Sequence, residues 1–258
     1  MNISKEEDRK MRFKLFIEYD GTNYSGWQKQ NNAKTIQGTL IKSIETAFKK
    51  TRGDNTFIDL QGSGRTDSGV HAMEQVAHLE CRSMLAPHIL NLKLNDELPS
   101  DINILNIEKT DPKFHARHSA VSRQYLYRIS KRRTAFDKKY VWWVKDILNV
   151  NAMQNAAVLM SGMKDFRSFS EPDEENKSTK VLIDFITVTE DEELILINIK
   201  ASHFLWKMVR RITGSLAEVG RGNISVERID YYLKNFSAEP AKYTAPPSGL
   251  FLEKVFYK

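Results

Sequence analysis

The sequence predicts an α+β protein built from two ferredoxin-like halves, each a split βαβ unit of the RRM-like kind. Three observations lead to this fold class. The chain has 258 residues, long enough for two small domains, and 41% of them are apolar, enough for a buried core. The predicted element order is βαββαβ in the first half and the similar βαββα(α)β in the second. We therefore expect an extended, mainly antiparallel sheet with helices on one side and a positively charged cleft between the halves.

The first predicted domain spans 12–110 and follows a charged N-terminal tail at 1–11. One helix begins after Thr35, whose side chain suits an N-cap, and continues with apolar residues at helical spacing. A second begins at Pro87, which suits a first helical turn, and ends near Leu94. Strands are expected where apolar residues alternate, at 13–20, 56–61, 75–81 and 102–107.

The second predicted domain, 111–258, gives the order βαββα(α)β. Its first helix is stopped by Gly162, and an acidic turn at 190–193 joins two strands as a hairpin. The predicted strands are 124–129, 181–189, 194–201 and 250–257. The predicted helices are 151–161, 203–219 and 225–235.

The predicted helix at 203–219 has two different faces. At about 100° per residue, one broad apolar face would be buried. The opposite side would form a stripe containing His203, Trp206, Lys207, Arg210 and Gly214. Because a solvated face explains an exposed tryptophan poorly, this stripe is a candidate ligand-facing surface.

The composition excludes several classes of protein. No apolar run approaches the roughly 18 residues of a membrane span, and the N-terminus MNISKEEDRK is charged where a signal peptide would be apolar. We therefore expect a cytoplasmic protein. The single cysteine, Cys81, excludes an intramolecular disulfide and has no Cys/His cluster nearby. We expect no zinc knuckle and no structural metal.

The net charge of +6 is unevenly distributed. From Lys113 to Lys145 there are ten lysines and arginines against one acid, with seven aromatic residues among them. Cations for phosphates and rings for unpaired bases are typical of RNA binding. We call 113–145 the basic window and interpret it as an RNA-binding segment. The acidic stretch from Glu171 to Glu193 is interpreted as a solvated face.

Residues 62–72, GSGRTDSGVHA, contain three glycines and are expected to form a loop rather than a helix. The Asp-Ser-Gly at 67–69 occurs in aspartic proteases, but no second copy exists to complete a dyad. A phosphate-binding loop would need GxxxxGK[ST] spacing, and Asp67 would repel the phosphate. Two interpretations stay open: an ionised Asp67, held by Arg65, that acts on an RNA substrate, or an aspartate in a solvated turn.

This loop is similar to the catalytic motif of the TruA family of tRNA pseudouridine synthases, G-R-T-D-[AS]-G-V-H, whose aspartate is the nucleophile. The resemblance covers essentially the whole chain after residue 11. Other segments resemble family segments in family order: YDGTNYSGWQKQ (19–30), TIQGTL (35–40), ELPSDI (97–102), FHARHSAVSRQYLY (114–127), KDFRSF (164–169), FLWKMVRRITGSLAEVGRG (204–222) and TAPPSGLFLEKVFY (244–257).

The resemblance implies that Asp67 is the catalytic nucleophile and that Arg65 pairs with it and helps to hold a flipped nucleotide. It also implies that Tyr125 stacks on the target base and that Arg210 completes the active site. Tyr125 lies in the basic window and Arg210 on the predicted stripe, although Tyr125 alone would be interpreted as a core residue of a strand. Further candidates for RNA binding are Arg117, Arg123, Trp206 and Lys207. The histidines His71 and His118 are interpreted as structural.

The implied activity is an isomerase, an intramolecular transferase that converts uridine to pseudouridine in the anticodon stem-loop of tRNA, at about positions 38, 39 and 40. The reaction needs no cofactor, and the resemblance implies a homodimer. Family members often carry two histidines where this chain has Trp206 and Lys207, and Ser68 replaces a common alanine. A paralogue acting on other RNA uridines and a noncatalytic RNA-binding module are the alternatives.

Overall fold

The structure is a computed structural model that describes residues 10–172 and 178–258. The fold is α+β, with a large, mainly antiparallel sheet and helices. The described residues form two compact units, one that runs up to Ala120 and includes Lys254–Lys258, and one from Val121 to Glu253. The predicted tail at 1–11 lies outside the described residues as far as residue 9, and the predicted domain boundary at 110 stays a prediction.

The first unit has the predicted element order. Its strands pair antiparallel in the order β4-β1-β3-β2. The strand β3 begins at His71 rather than at the predicted residue 75, because it pairs with the end of the first strand as far as Ala72. The elements are β1 (Met11–Tyr19), α1 (Ile36–Lys50), β2 (Thr56–Gly62), β3 (His71–Arg82), α2 (Pro87–Glu97) and β4 (Ile102–Lys109).

The core of the first unit forms where the sequence alternates. Phe13, Leu15 and Ile17 of β1 are buried on one face of the sheet. Thr35 caps α1 as predicted, because its hydroxyl accepts the backbone N–H of Gly38 at 3.2 Å. The strand pairing brings the end of β1 beside the start of β3, where the glycine-rich loop ends.

The second unit contains β5 (Ala120–Ser130), β6 (Trp142–Trp143), α3 (Val150–Leu159), β7 (Gly162–Asp165), β8 (Lys180–Glu190), β9 (Leu194–Ala201), α4 (Met208–Arg221), α5 (Val226–Lys234), α6 (Glu239–Lys242) and the first half of β10 (Leu250–Tyr257). Its strands run antiparallel in the order β5-β9-β8-β7, and β6 pairs parallel with β5. The sequence did not predict β6, β7 or α6, because two to four residues are too few to show a period. Within the described ranges, no helix is long and apolar enough to cross a membrane.

The predicted helix at 203–219 is wrong at its start. The helix α4 begins at Met208, and Lys207 before it has a left-handed backbone with φ 60°. His203, Trp206 and Lys207 therefore lie on a turn and do not share a helical stripe with Arg210. The predicted gap at Gly214 is filled by the chain itself, since a Cβ there would lie 1.4 Å from the carbonyl oxygen of Tyr243. Apolar periodicity alone does not reveal the left-handed residue that sets the start of the helix.

Candidate active site

The glycine-rich loop connects β2 to β3 and is fixed at its start by β3. The backbone N–H of Ser63 donates to the carbonyl of Val76 at 2.7 Å. The hydroxyl of Ser63 also donates to Oε1 of Gln75 at 2.6 Å, and Nε2 of Gln75 donates to the carbonyl of Gly64 at 3.1 Å. These bonds are buried or partly buried, so the first turn of the loop has a defined shape.

Thr66, the residue before Asp67, is held by the segment 19–27. Its hydroxyl hydrogen-bonds with the hydroxyl of Tyr19 at 2.8 Å, and its carbonyl accepts the backbone N–H of Trp27 at 3.1 Å. Burial raises the pKa of Tyr19 to about 12, so this phenol stays protonated at neutral pH. Gly26 has φ 85°, and a Cβ there would lie 2.6 Å from the carbonyl oxygen of Thr66. Only glycine fits at this position without moving the loop.

The residues after Asp67 are fixed by the same segment. The hydroxyl of Ser68 donates to the carbonyl of Tyr24 at 3.1 Å, and the N–H of Gly69 donates to the same oxygen at 3.3 Å. The N–H of Val70 donates to the carbonyl of Asp67 at 3.1 Å and closes a tight turn. The backbone is therefore held on both sides of Asp67, and this residue is partly exposed.

Arg65 and His71 have different environments on this loop. Arg65 is exposed, and its Nε donates to Oε1 of Gln28 at 3.2 Å, which orients the guanidinium group. His71 is buried, and its Nδ1 accepts the backbone N–H of Gly21 at 3.1 Å. This geometry fits the interpretation that His71 supports the packing of the loop.

Tyr125 lies on β5 of the second unit, opposite Ile199 of β9. Its ring meets the ring of Phe204 edge to face, with the centroids 4.9 Å apart and the planes at 81°. Arg123, two residues earlier on the strand, donates from Nη1 to the carbonyl of Ser202 at 3.2 Å. Arg123 and Tyr125 therefore both contact the turn 202–207.

Arg210 lies on α4 and is bound by the segment after α6. Its Nε donates to the carbonyl of Ala245 at 2.7 Å, and the N–H of Ala245 donates to the carbonyl of Arg210 at 3.0 Å. The side chain of Trp206 is 50% exposed. Lys207 lies near Trp206, with its Nζ 5.1 Å from the ring centroid, and donates to Oε1 of Glu171 at 3.3 Å.

Arg117 and His118 lie on a turn of the first unit that follows β4. Their backbone N–H groups donate to Nδ1 of His115, at 3.2 and 3.4 Å. The His118 ring packs against the His115 ring, with centroids 4.3 Å apart. The packing of His118 against His115 fits the interpretation of His118 as a structural residue. The hydrogen bond to His115 also holds the backbone of Arg117.

The basic window contains both core and surface residues. Tyr127 is fully buried, and its hydroxyl donates to the carbonyl of Pro246 at 2.7 Å, whereas Phe136 is 94% exposed. Arg132 is exposed and forms an ion pair with Glu193, with Nε 2.9 Å from Oε1. The end of the acidic stretch is therefore not only a solvated face, because it pairs with the basic window. Residues 173–177 of that stretch lie outside the described residues.

Sequence reasoning missed the residues that hold the loop. The segment 19–30 resembles a family segment, but the sequence-based prediction assigns no role to Tyr19, Tyr24, Gly26 or Trp27. The available signal was the occurrence of two glycines among three aromatic residues at the end of a strand. Because glycine permits close backbone approach, this pattern indicates tight packing against another segment.

The α+β fold carries Asp67 on a loop whose backbone is held by hydrogen bonds on both sides of this residue. The model of the tRNA pseudouridine synthase family matches residues 15–119 and 156–258, and the chain belongs to this family. The expected family membership is confirmed.

Three curated relatives are similar to the chain over nearly its full length, and each is called tRNA pseudouridine synthase A. The protein of Thermoanaerobacter sp. (strain X514) is 38% identical over 245 residues, which is 94% of this chain and 98% of the relative. That of Clostridium botulinum (strain Eklund 17B / Type B) is 38% identical over 246 residues, 95% of this chain and 98% of the relative. That of Bartonella tribocorum is 39% identical over 251 residues, 95% of this chain and 99% of the relative.

Proposed function

We propose that this protein isomerises uridine to pseudouridine in tRNA, at about positions 38, 39 and 40 of the anticodon stem-loop. The observation that carries the proposal is the family match over both units, together with Asp67 on a loop fixed by hydrogen bonds on both sides. The enzyme is an isomerase, an intramolecular transferase of the tRNA pseudouridine(38–40) synthase type.

The reaction breaks the bond between N1 of uracil and C1′ of ribose and joins C5 to the same carbon. N1 gains a proton and C5 loses one to solvent, so the composition of the RNA does not change. The carboxylate of Asp67 either attacks C1′ or removes the proton from C2′ to form a glycal. Both routes require an ionised carboxylate in a fixed position. Asp67 is partly exposed and lies on a turn that hydrogen bonds hold on both sides, which supports this role.

The other site residues act on the nucleotide around the reacting bond. The uridine must leave the stack, and Tyr125 provides an aromatic ring for the flipped base. Its contact with Phe204 supports this role, because it limits rotation of the ring. Arg65 orients Asp67 and holds the nucleotide, while Arg210 completes the site. The hydrogen bonds from Arg65 to Gln28 and from Arg210 to Ala245 support these roles, since each guanidinium is held in one orientation.

The finer architecture belongs to the same proposal. Both halves are ferredoxin-like, and a positively charged cleft between them binds the tRNA. The βαββαβ order of the first unit, with strands in the order β4-β1-β3-β2, supports this architecture for that unit. Arg117, Arg123 and Trp206 lie along the path of the RNA. The enzyme acts as a cytoplasmic homodimer.

Tritium release from tRNA that carries [5-³H]uridine tests the function directly. We expect the purified protein to release tritium with only buffer and salt added, because C5 loses its hydrogen in the reaction. Mapping pseudouridine in the product should place it at positions 38–40. Release from other uridines would support the paralogue, and tRNA binding without release would support a noncatalytic RNA-binding module.

Replacing Arg132 and Arg133 by alanine tests the basic window. We expect tRNA affinity to fall about tenfold, and the slope of log affinity against log salt concentration to fall by about 1 to 2, because each phosphate contact releases counterions. Filter binding at several salt concentrations measures both. The matched control replaces Lys49 and Lys50, since Lys50 also has an acidic partner, Glu97 at 2.7 Å. An unchanged slope in the arginine variant would show that Arg132 and Arg133 do not contact the phosphates of the tRNA.

A further inference from the structure

The turn 202–207 of the second unit is fixed to the residues that follow Phe169. The N–H of Glu171 donates to the carbonyl of Trp206 at 3.1 Å. The next residue, Lys207, has φ 60°, a left-handed conformation that is costly for a residue with a Cβ. Such a conformation persists only where the surrounding structure holds it.

The carboxylate of Glu171 binds two cations near the start of α4. Its Oε1 accepts hydrogen bonds from Nζ of Lys207 at 3.3 Å and from Nη2 of Arg211. Burial acts to raise the pKa of Glu171, but Arg211 and Lys207 together outweigh it and hold this pKa below its ordinary value. The carboxylate is therefore ionised at neutral pH and links the turn to the first turn of α4.

Arg211 depends on this carboxylate because it is buried. Its side chain is 7% exposed, and its Nη1 donates to the carbonyl of Ser170 at 2.6 Å. Its Nε has no acceptor within the part of the chain that the structure describes. Glu171 supplies the negative charge for this buried guanidinium group, and a buried charge that loses its partner is strongly unfavourable.

The turn carries groups that contact the proposed base-stacking residue. Phe204 of the turn lies edge-on against Tyr125, and the carbonyl of Ser202 accepts a hydrogen bond from Arg123. The helix α4, which carries Arg210, begins directly after the turn. A shift of the turn would therefore move the packing partner of Tyr125 and the start of α4 together.

We propose that Glu171, acting with Lys207 and Arg211, is a positioning residue for the reaction. It fixes the turn 202–207 and, through Phe204, the ring of Tyr125. The ammonium group of Lys207 serves this internal carboxylate rather than an RNA phosphate. This inference rests on the proposed function. It also gives a structural role to Lys207, which stands where family members often carry a histidine.

The first test is the pair of variants Glu171→Gln and Lys207→Met. We expect each to lower kcat for tritium release about tenfold, because a small misplacement of a positioning group slows the chemical step. KM for tRNA should not rise in Glu171→Gln, since removing an acid does not weaken attraction to a polyanion. The double variant should be no slower than the slower single variant, because both changes break one network.

Salt dependence separates this proposal from direct RNA contact. Lys207→Met should leave the slope of log tRNA affinity against log salt concentration unchanged. A slope reduced by about 1 with unchanged kcat would make Lys207 a phosphate contact and overturn the proposal. An unchanged kcat in a folded Glu171→Gln would also overturn it. If Glu171→Gln fails to fold, Lys207→Met still tests the proposal. We expect this variant to fold because Lys207 is only partly buried.

The matched controls are Asp230→Asn and Lys234→Met, which break an exposed ion pair of 2.5 Å on α5. They make the same chemical changes away from the turn, and we expect kcat, KM and the salt slope to stay unchanged. A wild-type protein that binds tRNA but releases no tritium would refute the proposed function. The salt slope of Lys207→Met would still show whether this lysine contacts phosphate.

Discussion

Replacing Asp67 by alanine should lower the rate of tritium release from [5-³H]uridine-labelled tRNA by about 10³-fold or more. Both possible routes use its ionised carboxylate, and alanine supplies neither a nucleophile nor a base. The affinity for tRNA should be nearly unchanged, because the phosphates are held by cations elsewhere. Single-turnover tritium release and filter binding, made on the same preparation, measure the two quantities separately.

Two further variants make the Asp67 experiment specific. Asp67→Asn keeps the shape of the side chain and should lose activity to a similar extent, since an amide has no negative charge. Asp54→Ala removes an exposed carboxylate of the same unit and should keep wild-type activity. If Asp67→Ala retained a tenth of the wild-type rate, Asp67 would not be the catalytic group.

The sequence was sufficient for the elements whose pattern is long and regular. The alternation in β1 and the apolar stripe of α1 follow from local periods, and the cap at Thr35 follows from its chemistry. The start of α4 did not follow in this way. It coincides with the left-handed backbone of Lys207, whose ammonium group hydrogen-bonds to Glu171, a residue distant in the sequence.

The catalytic loop could be located from the sequence, but the reason for its shape could not. Tyr19 and Thr66 are 47 residues apart in the chain, and only the pairing of β1 with β3 brings them to hydrogen-bond distance. In the basic window, composition was likewise insufficient to predict the environment of each side chain. It identified the cations and rings, but it could not show that Tyr127 is buried or that Arg132 pairs with Glu193.

Replacing Gly26 by alanine should damage the catalytic loop without touching a catalytic side chain. The backbone there has φ 85°, and the added Cβ would lie 2.6 Å from the carbonyl oxygen of Thr66. The left-handed conformation alone costs an alanine about 1–2 kcal/mol, and the contact forces Thr66 to move. Because Asp67 follows Thr66, we expect kcat to fall about 10²-fold. Thermal unfolding and single-turnover tritium release measure the two effects.

Gly53→Ala is the matched control, because it separates backbone strain from displacement of the loop. Gly53 also has a positive φ, 101°, but the nearest atom to an added Cβ is Nδ2 of Asn55 at 3.8 Å. This variant should lose about 1–2 kcal/mol of stability and keep its activity. If Gly26→Ala lost stability but kept the wild-type rate, the segment 19–27 would stabilise the fold without positioning Asp67. A loss of rate only in Gly26→Ala would show that close backbone packing at Thr66 places the carboxylate for the reaction.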